Sequence, residues 1–356
     1  MSFESRLKQV RRFLKEKEID CFLCVDSSDL FYLSGFKSSG CMGLISREEA
    51  VLFVPRLIFH QAREGVSSSL VKVNIINQEP EKEPFTTIKR KRFKYIGFDP
   101  QIPYRIYQEF KRALKGIMLI SSPGSILKMR LVKDEQEQRL IRRSARIVCE
   151  AYHQAGILIQ AGRTEREIAG LIELFMVRHG AQGASFPLMV ARNRHSSFPH
   201  YISGHRKVAR GDYVLIDIGC LYRGYASDLT RPLFLGKISK KWEGLYRLVL
   251  KAQKEAISRI QPGIQAKEVD LAARQVFRHA GLERYYIHNT GHGVGIDVHE
   301  PPTLSPYSKE ILKAGMVVTV EPGIYLPGFG GMRIEDMILV TSKGHEVLTR
   351  TNDYYC

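Results

Sequence analysis

The chain has 356 residues, which is long enough for two domains that each bury a hydrophobic core. Its hydrophobic content of 44% and charged content of 26% are ordinary values for a globular protein. No apolar run approaches a membrane span, the charged N-terminus does not resemble a signal peptide, and the six cysteines lack the spacing of a disulfide framework. We therefore expect a cytoplasmic protein with reduced thiols rather than a membrane protein or a disulfide-rich secreted one.

The net charge of +17 raises the question of a nucleic-acid partner. The excess of basic residues is spread over both halves of the chain, and the one dense cluster is Lys-Arg-Lys-Arg-Phe-Lys at residues 89–94. Nucleic-acid sites usually concentrate basic residues on one face together with stacking aromatic side chains. A single short cluster is typical of a solvated turn, so we predict no specific nucleic-acid partner.

The first part of the chain predicts an α/β domain. Apolar residues at helical spacing predict a helix over residues 3–18, and further helices are expected at 56–64 and 103–114. Segments typical of strands follow the first helix, at residues 21–25, 43–45, 50–54, 71–76 and 116–120. The sequence Ser-Ser-Pro-Gly at 121–124 is the expected boundary, which divides the chain into domains of residues 1–124 and 125–356.

The second domain mixes amphipathic helices with strands. Helices are predicted from residue 133 onward and over residues 165–179, 242–260 and 268–279. The apolar run at 214–218 predicts a buried strand, and a turn at 222–224 would pair it with a second strand at 225–232. Two later strands are predicted over residues 316–320 and 332–340.

Five ligand-capable side chains stand in apolar or glycine-rich settings of this second domain. They are Asp217, Asp228, His292, Glu321 and Glu335. A buried carboxylate is costly unless its charge is compensated, and four of them repel one another unless cations lie between them. Oxygen-rich sites with one nitrogen suit Mn, Co, Zn or Fe, and four carboxylates exceed what one ion needs. The set therefore predicts two divalent ions bridged by shared carboxylates.

Three of these residues, His292, Glu321 and Glu335, lie in recognisable local sequences. These are Gly-His-Gly-Val-Gly at 291–295, Glu-Pro-Gly-Ile-Tyr at 321–325 and Arg-Ile-Glu-Asp at 333–336. Together with the spacing of the five ligands, they resemble the pita-bread metallopeptidases, in the branch of aminopeptidase P and prolidase. The resemblance implies an N-terminal α/β domain of the creatinase/prolidase type, followed by a pita-bread catalytic domain.

The resemblance also implies a role for each ligand. Asp217 would bind one metal only, Asp228 and Glu335 would bridge both metals, and His292 and Glu321 would bind the other. Because the leaving proline nitrogen must gain a proton, Glu321 or one of the histidines is in addition expected to carry a proton during catalysis. Two divalent ions per subunit are expected, with manganese favoured and cobalt, zinc or iron as alternatives.

Further residues match positions near the metals in that branch. His200, His288 and His299 would act in catalysis, with His200 and His299 also holding substrate; the alternative is that they only orient ligands. Tyr325 and Arg333 would line the substrate pocket, with Arg333 also acting in catalysis. The alternative for Arg333 is a simple ion pair with an acidic neighbour such as Asp336 or Glu335.

Some residues are expected to have no role in the chemistry. His195, His205 and His345 are predicted to be ordinary surface or loop histidines. The glycines at 291, 293 and 295 resemble a phosphate loop, but the strand–loop–helix context is missing. Tight packing beside His292 is the preferred interpretation of these glycines.

The function expected from the resemblance is hydrolysis of the Xaa-Pro bond by an Xaa-Pro aminopeptidase acting on peptides with proline in second position. The first alternative is an Xaa-Pro dipeptidase that uses the same site. A more remote alternative, suggested by the positive charge, is a non-catalytic pita-bread module that binds protein or nucleic acid. A homodimer is expected by resemblance, and no association with a membrane.

Overall fold

The computed structural model describes residues 2–76 and 82–351. The chain divides into two compact units, Met1–Arg130 and Leu131–Cys356. The boundary expected at residues 121–124 lies before a short helix, Ser125–Arg130, and this helix falls within the first unit. A buried ion pair of 2.8 Å between Arg130 Nη1 and Asp29 Oδ1 ties the helix to that unit.

The first unit contains a mixed β-sheet. Its strands are β1 (Cys21–Cys24), β2 (Met42–Ser46), β3 (Ala50–Val54), β4 (Val71–Ile75), β5 (Tyr95–Phe98) and β6 (Met118–Ser121). They run in the order β4-β3-β2-β1-β5-β6. The central strands β1, β2 and β3 pair antiparallel, whereas β4, β5 and β6 each join the sheet in parallel. The predicted strands of the α/β domain are thereby confirmed.

Helices accompany this sheet along the chain. They are α1 (Phe3–Glu16), α2 (Ser27–Ser34), α3 (Phe59–Gly65), α4 (Glu83–Arg90), α5 (Tyr104–Ala113) and α6 (Ser125–Arg130), with a 3-10 turn at Arg56–Ile58. In α1 the apolar stripe that predicted the helix is buried, including Leu7, Val10 and Leu14. Helix α4 was not predicted, because its eight residues begin with Glu-Pro and end in the basic cluster. In that cluster, Lys91 Nζ lies 2.6 Å from Glu49.

The second unit contains two pairs of long helices. They are α7 (Glu135–Leu158), α8 (Glu165–Arg178), α9 (Lys240–Ser258) and α10 (Ala266–His279), close to the predicted ranges. Helices α7 and α8 each begin with a capping box, in which the N-cap side chain and a glutamate three residues later bond to each other's backbone. Each pair buries its apolar side chains in its own hydrophobic core.

The strands of the second unit are short and form several antiparallel sheets. They are β7 (Gly183–Ala184), β8 (Met189–Arg192), β9 (Tyr213–Ile218), β10 (Cys220–Tyr222), β11 (Tyr225–Ala226), β12 (Leu229–Phe234), β13 (Gly291–Gly293), β14 (Glu300–Leu304), β15 (Val317–Val320), β16 (Gly323–Leu326), β17 (Gly330–Arg333), β18 (Asp336–Thr341) and β19 (Gly344–Val347). The sheets have the orders β11-β10-β7, β12-β9-β8, β14-β13-β15-β18-β19 and β16-β17.

Strand β9 lies between the two cores of the second unit. Alternate side chains of a strand point to opposite faces, so Val214 and Ile216 pack with α7 and α8, while Tyr213 and Leu215 pack with α9 and α10. Asp217 continues the second of these two faces. The predicted turn after β9 is a two-residue hairpin loop, Arg223-Gly224, with φ values of 48° and 81°. Two positive φ values are typical of a type I′ turn, which favours glycine at its second position.

The strand predicted over residues 332–340 is instead divided into β17 and β18. Strand β17 pairs with β16, whereas β18 pairs with β15, so the chain changes sheet at Ile334 and Glu335. At this break the amide of Glu335 donates to Thr230 O at 3.1 Å. The prediction of one continuous strand was wrong, because a uniform apolar run does not show where a chain exchanges partners.

Within the described residues, no helix combines the length and hydropathy that crossing a membrane requires.

Candidate metal centre and active site

Two antiparallel strands place the first pair of carboxylates. In the register of β9 and β12, Asp217 lies opposite Thr230. Asp228 directly precedes β12, and residues two apart on a strand share a face, so Asp228 and Thr230 lie on the same side. Asp217 is 18% exposed at its side chain and Asp228 is 7% exposed, so both carboxylates are largely removed from solvent.

Three neighbouring strands place the remaining ligand candidates. His292 is in β13, Glu321 directly follows β15, and Glu335 directly precedes β18; β15 pairs with both of the other two strands. Backbone and hydroxyl groups fix these positions. The amide of Glu321 donates to Thr290 O at 2.8 Å, and the amide of His292 donates to Thr319 Oγ1 at 3.0 Å. All five predicted ligands therefore converge on one cavity of about 450 Å³.

The glycines around His292 serve close packing. A Cβ atom on Gly291 would collide with the backbone oxygen of Thr319, and one on Gly293 would collide with that of Pro301. A Cβ atom on Gly295 would meet the carboxylate of Glu300 at 2.5 Å. The packing interpretation of this segment is confirmed, because any side chain at these positions would separate the strands that present His292.

The side chains of Asp228, His292 and Glu335 form the centre of the cluster. Each offers a ligand atom, and these atoms all lie within 4.8 Å of one another. His292 Nε2 lies 3.8 Å from Asp228 Oδ2 and 3.3 Å from Glu321 Oε1. This spacing and the mixture of oxygen and nitrogen donors fit a divalent cation.

The carboxylates of the cluster differ in their affinity for protons. Burial, followed by repulsion from Glu321 and Asp217, raises the pKa of Glu335 to about 8. Burial and the neighbouring acids Glu335 and Asp217 likewise raise the pKa of Asp228 well above its usual range. Burial also acts on Glu321, but the hydrogen bond from His292 and nearby positive charge outweigh it and hold its pKa at about 2. A cation at the centre would offset both the cost of burying the negative charges and the repulsion between them. This is a second reason why the residues fit a metal.

Arg333 makes a different ion pair from the one weighed from sequence. Its Nη2 lies 2.5 Å from Asp217 Oδ2, whereas Asp336 pairs with Arg231. The ion pair considered as an alternative therefore exists, but its partner is Asp217 rather than Glu335 or Asp336, because β17 places the Arg333 side chain toward β9 rather than along its own strand. Arg333 also donates from Nε to Thr230 Oγ1 at 3.1 Å and from Nη1 to the Tyr325 hydroxyl at 2.7 Å.

Tyr325 lies behind the cavity rather than on its wall. It is 4% exposed, and its hydroxyl lies 2.9 Å from His288 Nε2 and 2.7 Å from Arg333 Nη1. Burial raises the pKa of Tyr325 to about 12, so the phenol keeps its proton at neutral pH. Tyr325 therefore links His288 to Arg333, and both of these residues do line the cavity.

The other two predicted histidines also line the cavity. His200 is exposed, and the ring of His299 lies 4.1 Å from that of His292. Burial, reinforced by the charge of His292, lowers the pKa of His299, and burial lowers that of His288. The imidazoles of His288 and His299 are therefore neutral at pH 7, so each has one N–H that can donate and one nitrogen that can accept a hydrogen bond.

Two threonines near the carboxylates were missed by the sequence analysis. Thr230 Oγ1 donates to Glu335 Oε2 at 2.7 Å, and Thr319 Oγ1 donates to Glu321 Oε1 at 3.2 Å. The sequence did contain a signal for both threonines. Thr230 lies two residues after Asp228 and Thr319 lies two residues before Glu321, and residues two apart on a strand have side chains on the same face. Hydroxyl donors of this kind fix which carboxylate oxygen points into the cavity.

A fully buried arginine, Arg231, supports the cluster from behind. It pairs with Asp336 Oδ1 at 2.6 Å, donates to Thr349 O and Thr351 Oγ1 at 3.1 Å each, and also donates to the backbone oxygen of Glu335. The other carboxylate oxygen of Asp336 accepts from Gln253 at 2.8 Å. This network fixes the backbone next to Glu335 and connects it to the last described residues of the chain.

Comparison with known proteins agrees with this architecture. Residues 139–342 match the model of metallopeptidase family M24, and residues 6–132 match that of the creatinase/prolidase N-terminal domain. The match to a metallopeptidase model, over the unit that holds the buried carboxylate–imidazole cluster, identifies the class as a metal-dependent hydrolase. The chain belongs to metallopeptidase family M24. The predicted pita-bread fold and the aminopeptidase P and prolidase branch are thus confirmed.

Individual relatives share the whole length of the chain. An Xaa-Pro dipeptidase of Pyrococcus horikoshii is 35% identical over 97% of both sequences. The crystal structure of the prolidase from Pyrococcus horikoshii has a TM-score of 0.91 at 35% identity and covers 98% of this chain and 99% of that one. The crystal structure of an X-Pro aminopeptidase from Thermotoga maritima has a TM-score of 0.87 at 30% identity, with coverage of 95% and 97%. The comparisons with the Pyrococcus horikoshii dipeptidase and prolidase favour the dipeptidase alternative over the aminopeptidase that was expected first.

Proposed function

We propose that this chain is a divalent-metal-dependent Xaa-Pro dipeptidase, a prolidase. The observation that carries the proposal is the convergence of all five ligand candidates on one cavity, in a chain similar over its whole length to a relative named Xaa-Pro dipeptidase. The aminopeptidase is the second candidate, since an X-Pro aminopeptidase structure from Thermotoga maritima is also similar. The binding-module alternative gains no support from a site that keeps every ligand candidate.

The metal site of the proposal consists of Asp228, His292 and Glu335 at its centre, with Asp217 and Glu321 beside them. Two divalent ions per subunit are proposed, with manganese favoured and cobalt, zinc or iron also compatible with these donors. When bound, such ions lower the pKa of a water molecule and polarise the carbonyl of the bond to be cleaved.

Glu321 is proposed to carry the proton that the reaction moves. The carboxylate is ionised at neutral pH, as the acceptor of a proton from the attacking water must be. The nitrogen of an Xaa-Pro bond has no hydrogen, so proline can leave only after this nitrogen gains a proton. Glu321 lies in the cavity wall beside His292 and can deliver the proton it has accepted.

The imidazoles that line the cavity are proposed to hold the substrate. His200 and His299 face the cavity and can donate hydrogen bonds to the carboxylate of the proline or to the oxygen on which charge develops. His288 is fixed from both sides, since Nδ1 faces Asn289 O at 2.7 Å and Nε2 faces the Tyr325 hydroxyl. Arg333 fixes Asp217 and Tyr325 at the same time, so it would set the positions of a metal ligand and of His288.

The experiment that tests the proposal compares two substrates. Protein reconstituted with Mn²⁺ is incubated with Ala-Pro and, separately, with Ala-Pro-Ala, and the release of alanine is measured. We expect cleavage of Ala-Pro and little cleavage of the tripeptide. Efficient cleavage of the tripeptide would instead support the aminopeptidase, and no cleavage of either would reject both.

The expected homodimer belongs to the same proposal and is checked by light scattering of the purified protein.

A further inference from the structure

The carboxylate of Glu165 is completely buried, although it lies in the first turn of helix α8. Four donors surround it. Oε1 accepts from the amide of Arg192 at 2.9 Å and from His195 Nδ1 at 3.1 Å, and Oε2 accepts from the Tyr201 hydroxyl at 2.8 Å and from the amide of Gly204 at 3.2 Å. All four donors belong to one stretch of chain, residues 192–204.

This stretch forms one wall of the active-site cavity. Pro199, His200, Tyr201 and Ile202 all line the cavity, and His200 is a proposed substrate ligand. Except for a 3-10 turn at Asn193–Ser197, the wall between β8 and β9 has no regular secondary structure. Such a segment depends on side-chain hydrogen bonds for its conformation, because its backbone groups lack the regular partners of a helix or sheet.

His195 is part of this arrangement, contrary to the expectation of an ordinary surface or loop histidine. It is 8% exposed, and its ring stacks on that of Tyr201 with centroids 4.7 Å apart. As the donor in the contact with Glu165, His195 carries a hydrogen on Nδ1, and the carboxylate oxygen accepts it. Burial and the bond to Glu165 raise the pKa of Tyr201 to about 12, so its hydroxyl also remains a donor.

Capping of helix α8 does not explain the burial of Glu165. The capping box consists of Thr164 and Glu167: Thr164 Oγ1 accepts from the amide of Glu167, and the Glu167 carboxylate accepts from the amide of Thr164. Glu167 is solvent-exposed, and the hydrogen bonds of its carboxylate are those with Thr164. Helix α8 thus carries two glutamates two residues apart, one that caps the helix and one directed at the cavity wall.

We propose that Glu165 is a positioning residue for the active site, which holds His200 and Tyr201 in place by binding both ends of the wall that carries them. The consequence for catalysis rests on the proposed dipeptidase function. If the Glu165 carboxylate is removed, the four donors lose their shared acceptor and the wall moves. The side chains that would contact the proline end of the substrate then move with the wall. A displacement of about 1 Å in such groups can cost on the order of a hundredfold in rate.

The first measurement is hydrogen exchange of the metal-loaded protein, which needs no substrate. Glu165→Gln replaces one acceptor oxygen by an NH₂ group that faces donors. We expect the amide that then faces this NH₂ group, that of Arg192 or that of Gly204, to exchange roughly tenfold faster, because it has lost its hydrogen bond. The matched control is Glu167→Gln on the same helix, which should leave both amides unchanged. Unchanged exchange in Glu165→Gln would overturn the proposal, and so would equal acceleration in both variants.

The second measurement is a kinetic double-mutant cycle on Ala-Pro between Glu165→Gln and His200→Ala. We expect Glu165→Gln to raise KM by about ten- to a hundredfold with a smaller change in kcat, and to have little further effect once His200 is removed. A purely structural role would give additive losses and a lower active fraction at unchanged KM.

Tyr201→Phe removes a single donor and serves as the milder variant if Glu165→Gln does not fold. Failure of the wild-type protein to cleave Ala-Pro would reject the proposed function, whereas the exchange result would still decide whether Glu165 holds the wall.

Discussion

Removal of metal should make the stability of this protein fall as the pH rises. In the metal-free protein the pKa of Glu335 is about 8, against an ordinary value of 4.5 for a glutamate in the unfolded chain. The folded state therefore binds this proton more tightly than the unfolded state does. Its contribution is fully present below pH 4.5 and is lost as the pH rises through 8.

The size of the effect follows from the two pKa values. For a single group with these values, the free energy of unfolding decreases by about 2 kcal/mol between pH 6.5 and 8.5. The shifts of Asp217 and Asp228 have the same sign and act in the same direction. Bound divalent cations would remove the effect, because the carboxylates are then ionised at every pH in this window.

The assay is chemical unfolding of chelator-treated protein at pH 6.5 and 8.5, followed by the same experiment on Glu335→Gln. We expect the wild-type protein to lose about 2 kcal/mol more than the variant over this interval. Glu255→Gln, on the exposed side of α9, is the control and should keep the wild-type dependence. Equal pH dependence in the wild-type protein and in Glu335→Gln would refute the reasoning, since it would show that Glu335 is already ionised without metal.

Three further outcomes are expected. Glu321→Gln should lower kcat for Ala-Pro by at least about a hundredfold with the thermal midpoint nearly unchanged, and near-normal turnover would exclude its proton-carrying role. Binding of Mn²⁺ at pH 7 should release protons from Asp228 and Glu335, seen as a binding enthalpy that varies with the ionisation enthalpy of the buffer; a constant enthalpy would contradict the raised pKa values. Asp336→Asn leaves the charge of Arg231 buried and should cost about 3–5 kcal/mol of unfolding free energy, with a cost below about 1 kcal/mol contradicting the buried pair.

The sequence predicted the metal-ligand candidates better than it predicted their surroundings. Asp217, His292 and Glu321 stand in apolar or glycine-rich segments where a charged or polar side chain needs a special reason, and this local anomaly was enough to select them. The helices α7 to α10 were found because a periodic apolar stripe is a property of consecutive residues. In both cases the information is local in the chain.

Features that depend on distant pairing were not predicted. The partner of Arg333 is Asp217, 116 residues away, and no periodicity indicates which carboxylate a buried arginine will meet. At the break between β17 and β18, Glu335 donates a hydrogen bond to Thr230 on another sheet, a partner 105 residues away in the chain. The sequence analysis assigned Glu165 only to a helix. The four groups that donate hydrogen bonds to its carboxylate come from residues 192–204 and become its neighbours only after the chain has folded.

The contacts of Arg231 set a condition on the order of events during protein synthesis. The backbone beside Glu335 is held by an arginine whose other partners include Thr349 and Thr351, among the last described residues. A ribosome that has translated all five ligand candidates has therefore not yet produced the residues that complete their support. The final geometry around Glu335 is therefore complete only after Thr351 has been synthesised, and a fragment that ends just after Glu335 should bind divalent metal poorly although it contains all five ligand candidates.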